Sequence, residues 1–170
     1  MDLIISRIIE IVLLFPGFFL IIILVAMFGP SIVIIMTVLG LLGWTSIARL
    51  IRAEFLKQRQ LDYVAAAKAV GCSNFRIMFR HILPNAIYPV FVSVPFGIAA
   101  AILTEGGLSI LGYGVKTPVP SWGSIMNAGL YYPTHWWLWL FPGIMMFITL
   151  TSFNVIGAGI RDAVDPRLKV

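Results

Sequence analysis

Four apolar runs, each close to the length needed to cross a bilayer, are interrupted by one strongly basic segment. The runs lie at about 8–28, 31–48, 86–104 and 137–157. A run of 18 residues such as 31–48 extends roughly 27 Å as a helix, near the thickness of the hydrocarbon layer. The chain is 60% apolar and 11% charged, against about 45–50% and about 25% in a soluble domain. No water-soluble fold of this size could cover that much apolar surface. The pattern predicts an all-α integral membrane protein: one polytopic helical bundle, 1–170, with about four transmembrane helices. Gly29-Pro30 closes the first run in a tight turn, because proline cannot donate to a continuing helix. Pro16, Pro95 and Pro142 fall inside or at the start of runs and predict kinks, which membrane helices tolerate.

The basic residues set the orientation. Arg49, Arg52, Lys57, Arg59, Lys68, Arg76 and Arg80 lie in 49–84, against Glu54 and Asp62. Each would cost about 2.5–3.5 kcal/mol at bilayer depth, so seven would cost on the order of 20 kcal/mol. The segment is therefore an aqueous loop, and the positive-inside rule makes it cytoplasmic. Both termini then fall on the cytoplasmic side, in agreement with Arg161, Arg167 and Lys169. The loop 105–136 becomes extracytoplasmic, with Lys116 and Glu105 as its charges. Tyr131, Tyr132, Trp136, Trp137 and Trp139 mark the outer interface. The glycine-rich stretch from Gly106 to Gly114 predicts a surface helix, and Pro118 to Gly123 a proline-rich turn. The net charge of +5 is written as topology between spans, so nucleic acid is not the expected partner.

Little in the chain points to chemistry. Cys72 is the single cysteine, which leaves no internal disulfide or multi-cysteine metal site. His81 and His135 fall on opposite sides of the membrane, so they cannot share a site. No HExxH, GxSxG or phosphate-loop motif is present. No catalytic, cofactor-binding or metal-ligating residue is assigned, and the chain does not read as an enzyme. Arg49 and Arg52 are one helical turn apart and snorkel at the inner interface. Glu105, beside Gly106-Gly107, and Asn154, deep in the last run, are the candidate path residues. For each, structural hydrogen bonding is the competing role. Trp44 and Thr45 share that ambiguity.

The basic loop has internal punctuation. Asp62 suits a helix N-cap, and Tyr63 to Val70 follow with four alanines. Gly71 suits the left-handed position after a helix end. Ser73 suits the cap of a second helix, Asn74 to Leu83, which Pro84 would end. A helix this short is marginal alone in water. It is either a connector between spans or a docking element with alanines that let a partner approach closely.

Tyr63-Val64-Ala65-Ala66-Ala67-Lys68-Ala69-Val70-Gly71, followed by Arg80-His81-Ile82-Leu83-Pro84-Asn85, resembles the "EAA" loop of ABC importer permeases. Ala66, Ala67, Gly71, Leu83 and Pro84 stand at that pattern's spacing. Leu108 to Gly114, Pro118 to Gly123, and Arg161 to Arg167 are similar to the dipeptide, oligopeptide and nickel branch, in its second permease type. The resemblance implies a coupling helix formed by Asp62, Tyr63, Ala65, Ala66, Ala67 and Gly71, with Leu83 and Pro84 closing the motif. It implies as partners two ATPase subunits, which bind ATP and Mg, a second permease, an extracytoplasmic solute-binding protein and lipid. It implies peptides as the solute, with nickel or another solute of the branch as the alternative. A non-functional remnant or a stand-alone channel is the reading from another class. The family's glutamate is Ala65 here. With Asp62 as N-cap, position 65 would be the third helical residue, where glutamate closes a capping box. The chain also matches the family from after its second span. Two further spans are therefore expected upstream, lost by truncation, gene splitting or a misplaced start.

Overall fold

The computed structural model describes residues 2–115 and 118–164, with helices and no strands among them. Lys116, Thr117 and the tail residues Asp165, Pro166, Arg167 and Lys169 lie outside the described residues. The helical bundle is as expected. Three helices are long and apolar enough to cross a membrane, with a fourth crossing if one bent pair is a single span.

That pair covers the expected 8–28 span. It consists of α1 (Asp2–Leu13) and α2 (Gly17–Phe28), bent by 67°. Pro16 is the cause. It lacks an N–H and disfavours helical geometry in Phe15, so the chain breaks and α2 restarts with Pro16 as its N-cap. At the other end Gly29 takes φ 87° and donates to the Val25 carbonyl at 2.9 Å.

α3 (Ile32–Gln58) covers the expected second span and continues as helix into the expected loop. It begins as expected after Ser31 but runs ten residues past Ala48. Arg49, Arg52, Glu54 and Lys57 therefore lie on helix, not loop. Charge ends a bilayer crossing, yet Arg, Glu, Lys and Gln are good helix formers. α7 (Tyr88–Ile110) likewise starts two residues later than the expected third span and carries Glu105 to Ile110 as helix. α9 (Trp137–Val164) contains the fourth. α7 and α9 both continue through their internal prolines, Pro95 and Pro142.

Ile21 and Val25 of α2 pack on Ile35 and Val38 of α3, with Leu108 of α7 closing the cluster. α7 and α9 share the most extensive packing, where Gly157 faces the Phe96 ring. Elsewhere the spans are open: 17% of the apolar window is buried in α3 and in α7, and 6% in α9. Most of this apolar surface is left for lipid or other chains.

The end of the bundle away from the basic segment differs from the expected surface helix and turn. α7 ends at Gly112, φ 85°, in a Schellman motif: Gly112 N–H reaches the Ser109 carbonyl at 3.0 Å and Tyr113 N–H the Leu108 carbonyl at 2.8 Å. After the proline run comes α8 (Trp122–Tyr131), packed on α7 and α9. Its start is a capping box in which the Ser121 hydroxyl accepts from Ser124 N–H at 3.1 Å and the Ser124 hydroxyl accepts from Ser121 N–H at 2.9 Å. Asn127 donates to the Ile110 carbonyl at 2.6 Å, tying α8 to the end of α7. Ser121→Ala is expected to cost about 1 kcal/mol. In detergent this should lower the unfolding midpoint by roughly 2–4 °C.

Candidate functional site

The basic segment folds into a helical corner. α3 turns at Arg59 to Leu61 into α4 (Asp62–Ala69). α4 is followed by α5 (Asn74–Arg76), a six-residue π-helical segment Ile77–Ile82, and α6 (Leu83–Ala86), which leads into α7. The N-cap of α4 is Leu61, not Asp62. Leu61 is extended, at φ −80° and ψ 151°, and its carbonyl accepts from Val64 N–H at 3.0 Å and Ala65 N–H at 3.4 Å. Burial of Val64 sets this register. Asp62 then falls in the first turn, where its charge favours the helix dipole. Ala65 becomes the fourth helical residue, so the capping-box argument for its missing glutamate does not apply.

The end of α4 follows the glycine signal. Gly71 takes φ 82°. Gly71 N–H reaches the Lys68 carbonyl at 2.9 Å, and Cys72 N–H the Ala67 carbonyl at 3.1 Å. These are the paired bonds of a Schellman motif, which needs a residue with left-handed backbone. Ser73 caps α5 by accepting from Arg76 N–H at 3.4 Å. The expected stop at Pro84 does not occur. The helix widens to π geometry before the proline, as in Leu83 N–H to the Met78 carbonyl, five residues back. Pro84 then sits in the first turn of α6, where a missing N–H is tolerated.

Below the corner lies a small core of Val64, Ile77, Ile82 and Ala86, flanked by Phe55, Tyr63, Ala67 and Cys72. A polar chain runs beside it. Lys57 pairs with Glu54 at 3.2 Å, and Gln58 donates to Glu54 at 3.0 Å. The Tyr63 hydroxyl lies 2.9 Å from Gln58 Oε1 and 3.4 Å from the His81 carbonyl, which Asn85 also reaches at 2.9 Å.

The result is a short helix with an anchored face and an open one. Tyr63, Val64 and Ala67 point inward, while Asp62, Ala65, Ala66, Lys68, Ala69 and Gly71 are exposed. Val70 and Phe75 extend the open face, at 84% and 69% exposure. Phe75 packs against Phe79 with centroids 4.5 Å apart and the rings tilted by 41°. Small side chains beside exposed apolar ones suit close packing by another chain. Leu83 and Pro84 lie beyond the π segment in α6, apart from α4 in the chain. Sequence reasoning passed over Glu54 and Gln58, although their i,i+4 spacing on a helix is a readable signal. It also gave Asn85 no role.

The other candidates separate. Glu105 accepts from the Ser109 hydroxyl at 2.6 Å and lines a cavity of about 760 Å³ with Ile98, Val115 and Trp122. Asn154 is exposed on α9 and makes no hydrogen bond to the described residues. Thr45 is buried and bonds back to the Leu42 carbonyl at 2.7 Å. Trp44 lines a cleft with Gly40, Gly43 and Gly97.

All 170 residues match the family described as binding-protein-dependent transport system inner membrane component. Curated relatives agree. The dipeptide transport system permease protein DppC of Alkalihalophilus pseudofirmus is 38% identical over 169 residues, covering 99% of this chain and 56% of the relative. That of Bacillus subtilis is 38% identical over 172 residues, covering 99% and 53%. That of Escherichia coli K12 is 38% identical over 167 residues, covering 98% and 56%. The chain thus spans somewhat more than half the length of these relatives. With the helical bundle, the corner and the match along its whole length, this chain belongs to the family of binding-protein-dependent transport system inner membrane components.

Proposed function

We propose that the chain acts as a permease subunit of an ATP-binding-cassette importer for di- or oligopeptides, with α4 as the helix that docks an ATPase subunit. The observation that carries this reading is the two-faced α4, locked by Val64 beneath and by the Gly71 turn at its end, with an open alanine face. The names of the relatives supply the solute class. Nickel or another solute remains the substrate-level alternative. The chain itself performs no catalysis in this scheme; two ATPase subunits bind ATP and Mg and do the hydrolysis.

The basic corner would face the cytoplasm, with both termini on that side, and α8 the outside. A second permease and lipid would cover the open span surfaces. Asn154, an exposed amide on an apolar helix, fits a hydrogen bond to a neighbouring subunit. Glu105 would line the path at its outer end, facing the side where a solute-binding protein delivers its load.

The test is made on the purified complex. With Cys72 changed to serine, a cysteine in place of Ala66 should cross-link to an ATPase subunit. Gly71→Asp puts a charged side chain at the left-handed turn that ends the open face of α4. It should lower ATP hydrolysis stimulated by the loaded binding protein by about tenfold. A chain that purifies without ATPase subunits and ignores Gly71→Asp would instead be a stand-alone channel or remnant.

A further inference from the structure

We propose that the π-helical segment Ile77–Ile82 is an adjustable joint between α4 and α7, and that Tyr63 and Asn85 are the positioning residues that set its register. This rests on reading α4 as the docking helix.

A π segment holds one residue more than an α-helix needs for the same turn, and such segments concentrate at functional sites. Here it sits between two pieces of α-helix, α5 and α6. Its ends are fixed: Ile77 and Ile82, each 3% exposed, are buried with Val64 of α4 and Ala86 of α6. Its middle stands outside that core: Met78, Phe79 and Arg80 are all exposed, and the Phe79 ring packs on Phe75 of α5. Clamped ends and a middle outside the core allow the surplus residue to move without breaking it.

The hydrogen bonds at the end of the segment point the same way. The His81 carbonyl is met by side chains, Asn85 Nδ2 at 2.9 Å and the Tyr63 hydroxyl at 3.4 Å. A wide turn that merely made room for the Pro84 ring would need no donor from α4. Yet Tyr63 is an α4 residue, and its hydroxyl has one proton for two acceptors. The nearer acceptor is Gln58 Oε1 of α3, at 2.9 Å. The bond to His81 is therefore the weaker and the more easily exchanged. A displacement of α4 moves this hydroxyl between α3 and the joint. Beyond the joint lie α6 and then α7, the span that bears Glu105.

The experiment uses the intact importer in lipid vesicles, with Cys72 changed to serine and spin labels at positions 66 and 91, on α4 and α7. The label distance should differ by several ångströms between the nucleotide-free and ATP-trapped states. Deleting Phe79 removes the surplus residue of the wide turn. It should freeze that distance and cut peptide transported per ATP at least about tenfold. Tyr63→Phe keeps the ring and removes only the hydroxyl, and Asn85→Leu removes the amide donor. Each should lower transport per ATP about three- to tenfold, with complex yield unchanged. An equal label distance in both nucleotide states overturns the joint. So does an unchanged transport-to-ATP ratio in Tyr63→Phe and Asn85→Leu, which decides the matter even if the Phe79 deletion does not assemble. Failure of the docking reading looks different: no ATPase cross-link at position 66.

Discussion

Gly123→Ala is expected to destabilise the protein by about 3 kcal/mol, and Gly106→Ala by less than about 1 kcal/mol, although both add the same methyl group. A Cβ at 123 would overlap the Gly106 carbonyl oxygen and lie 2.8 Å from Gly106 Cα and 2.6 Å from Ser109 Cβ. Those atoms belong to α7, whose backbone is held by α9 and by its own Schellman turn, so they cannot give. At position 106 the obstacle is Met146 Cε, with Sδ at 3.4 Å. That is the end of a flexible side chain that can turn away. Alanine also improves a helix interior by about 0.8–1 kcal/mol, which offsets part of the second cost. Thermal unfolding in detergent should separate the variants by roughly 4–12 °C, for a difference of about 2–3 kcal/mol. Equal midpoints would mean that α8 does not press on α7 at this point.

The second large effect is at Val64. Val64→Asp places a charge where the side chain is 0% exposed, among Ile77, Ile82 and Ala86. The loss should be at least about 3 kcal/mol, from lost apolar burial and an unsatisfied polar group. α4 amides should then exchange with solvent more than about 100-fold faster. Ala66→Asp, two residues away on the open face, should change stability by less than about 0.5 kcal/mol. If α4 docks an ATPase, Ala66→Asp should nonetheless weaken that association. The pair thus separates damage to the fold from damage to an interface.

Signals that act within a few residues were the ones the sequence displayed. Gly71 and Ser73 mark a helix end and a helix start through local backbone chemistry, and both sit where that chemistry puts them. Asp62 was read as the cap from its side chain, but the burial of Val64 shifted the start by one residue. Pro84 was read as a stop because its ring excludes an α turn. A π turn is a second solution that no residue pattern announces. Pro16 carried the opposite lesson, since a proline expected to kink a helix breaks it by 67°. α8 escaped notice because Gly123 and Gly129 look like turn residues. Both are small because α8 presses on α7 and on Trp139, a tertiary fact. The open face of α4 was legible as alanines; the chain from Glu54 through Tyr63 to Asn85 was not, because its members are joined only in space.

The ten helical residues that α3 carries beyond Ala48 extend it by about 15 Å along its axis. They form a rigid lever. A tilt of α3 by about 10° would sweep its far end, about 30 Å from the pivot, through about 5 Å. The pivot lies among the α2–α3 contacts at Ile35 and Val38, so small rotations deep in the membrane are magnified in the water. By the same geometry, force applied at the corner gains mechanical advantage over the spans.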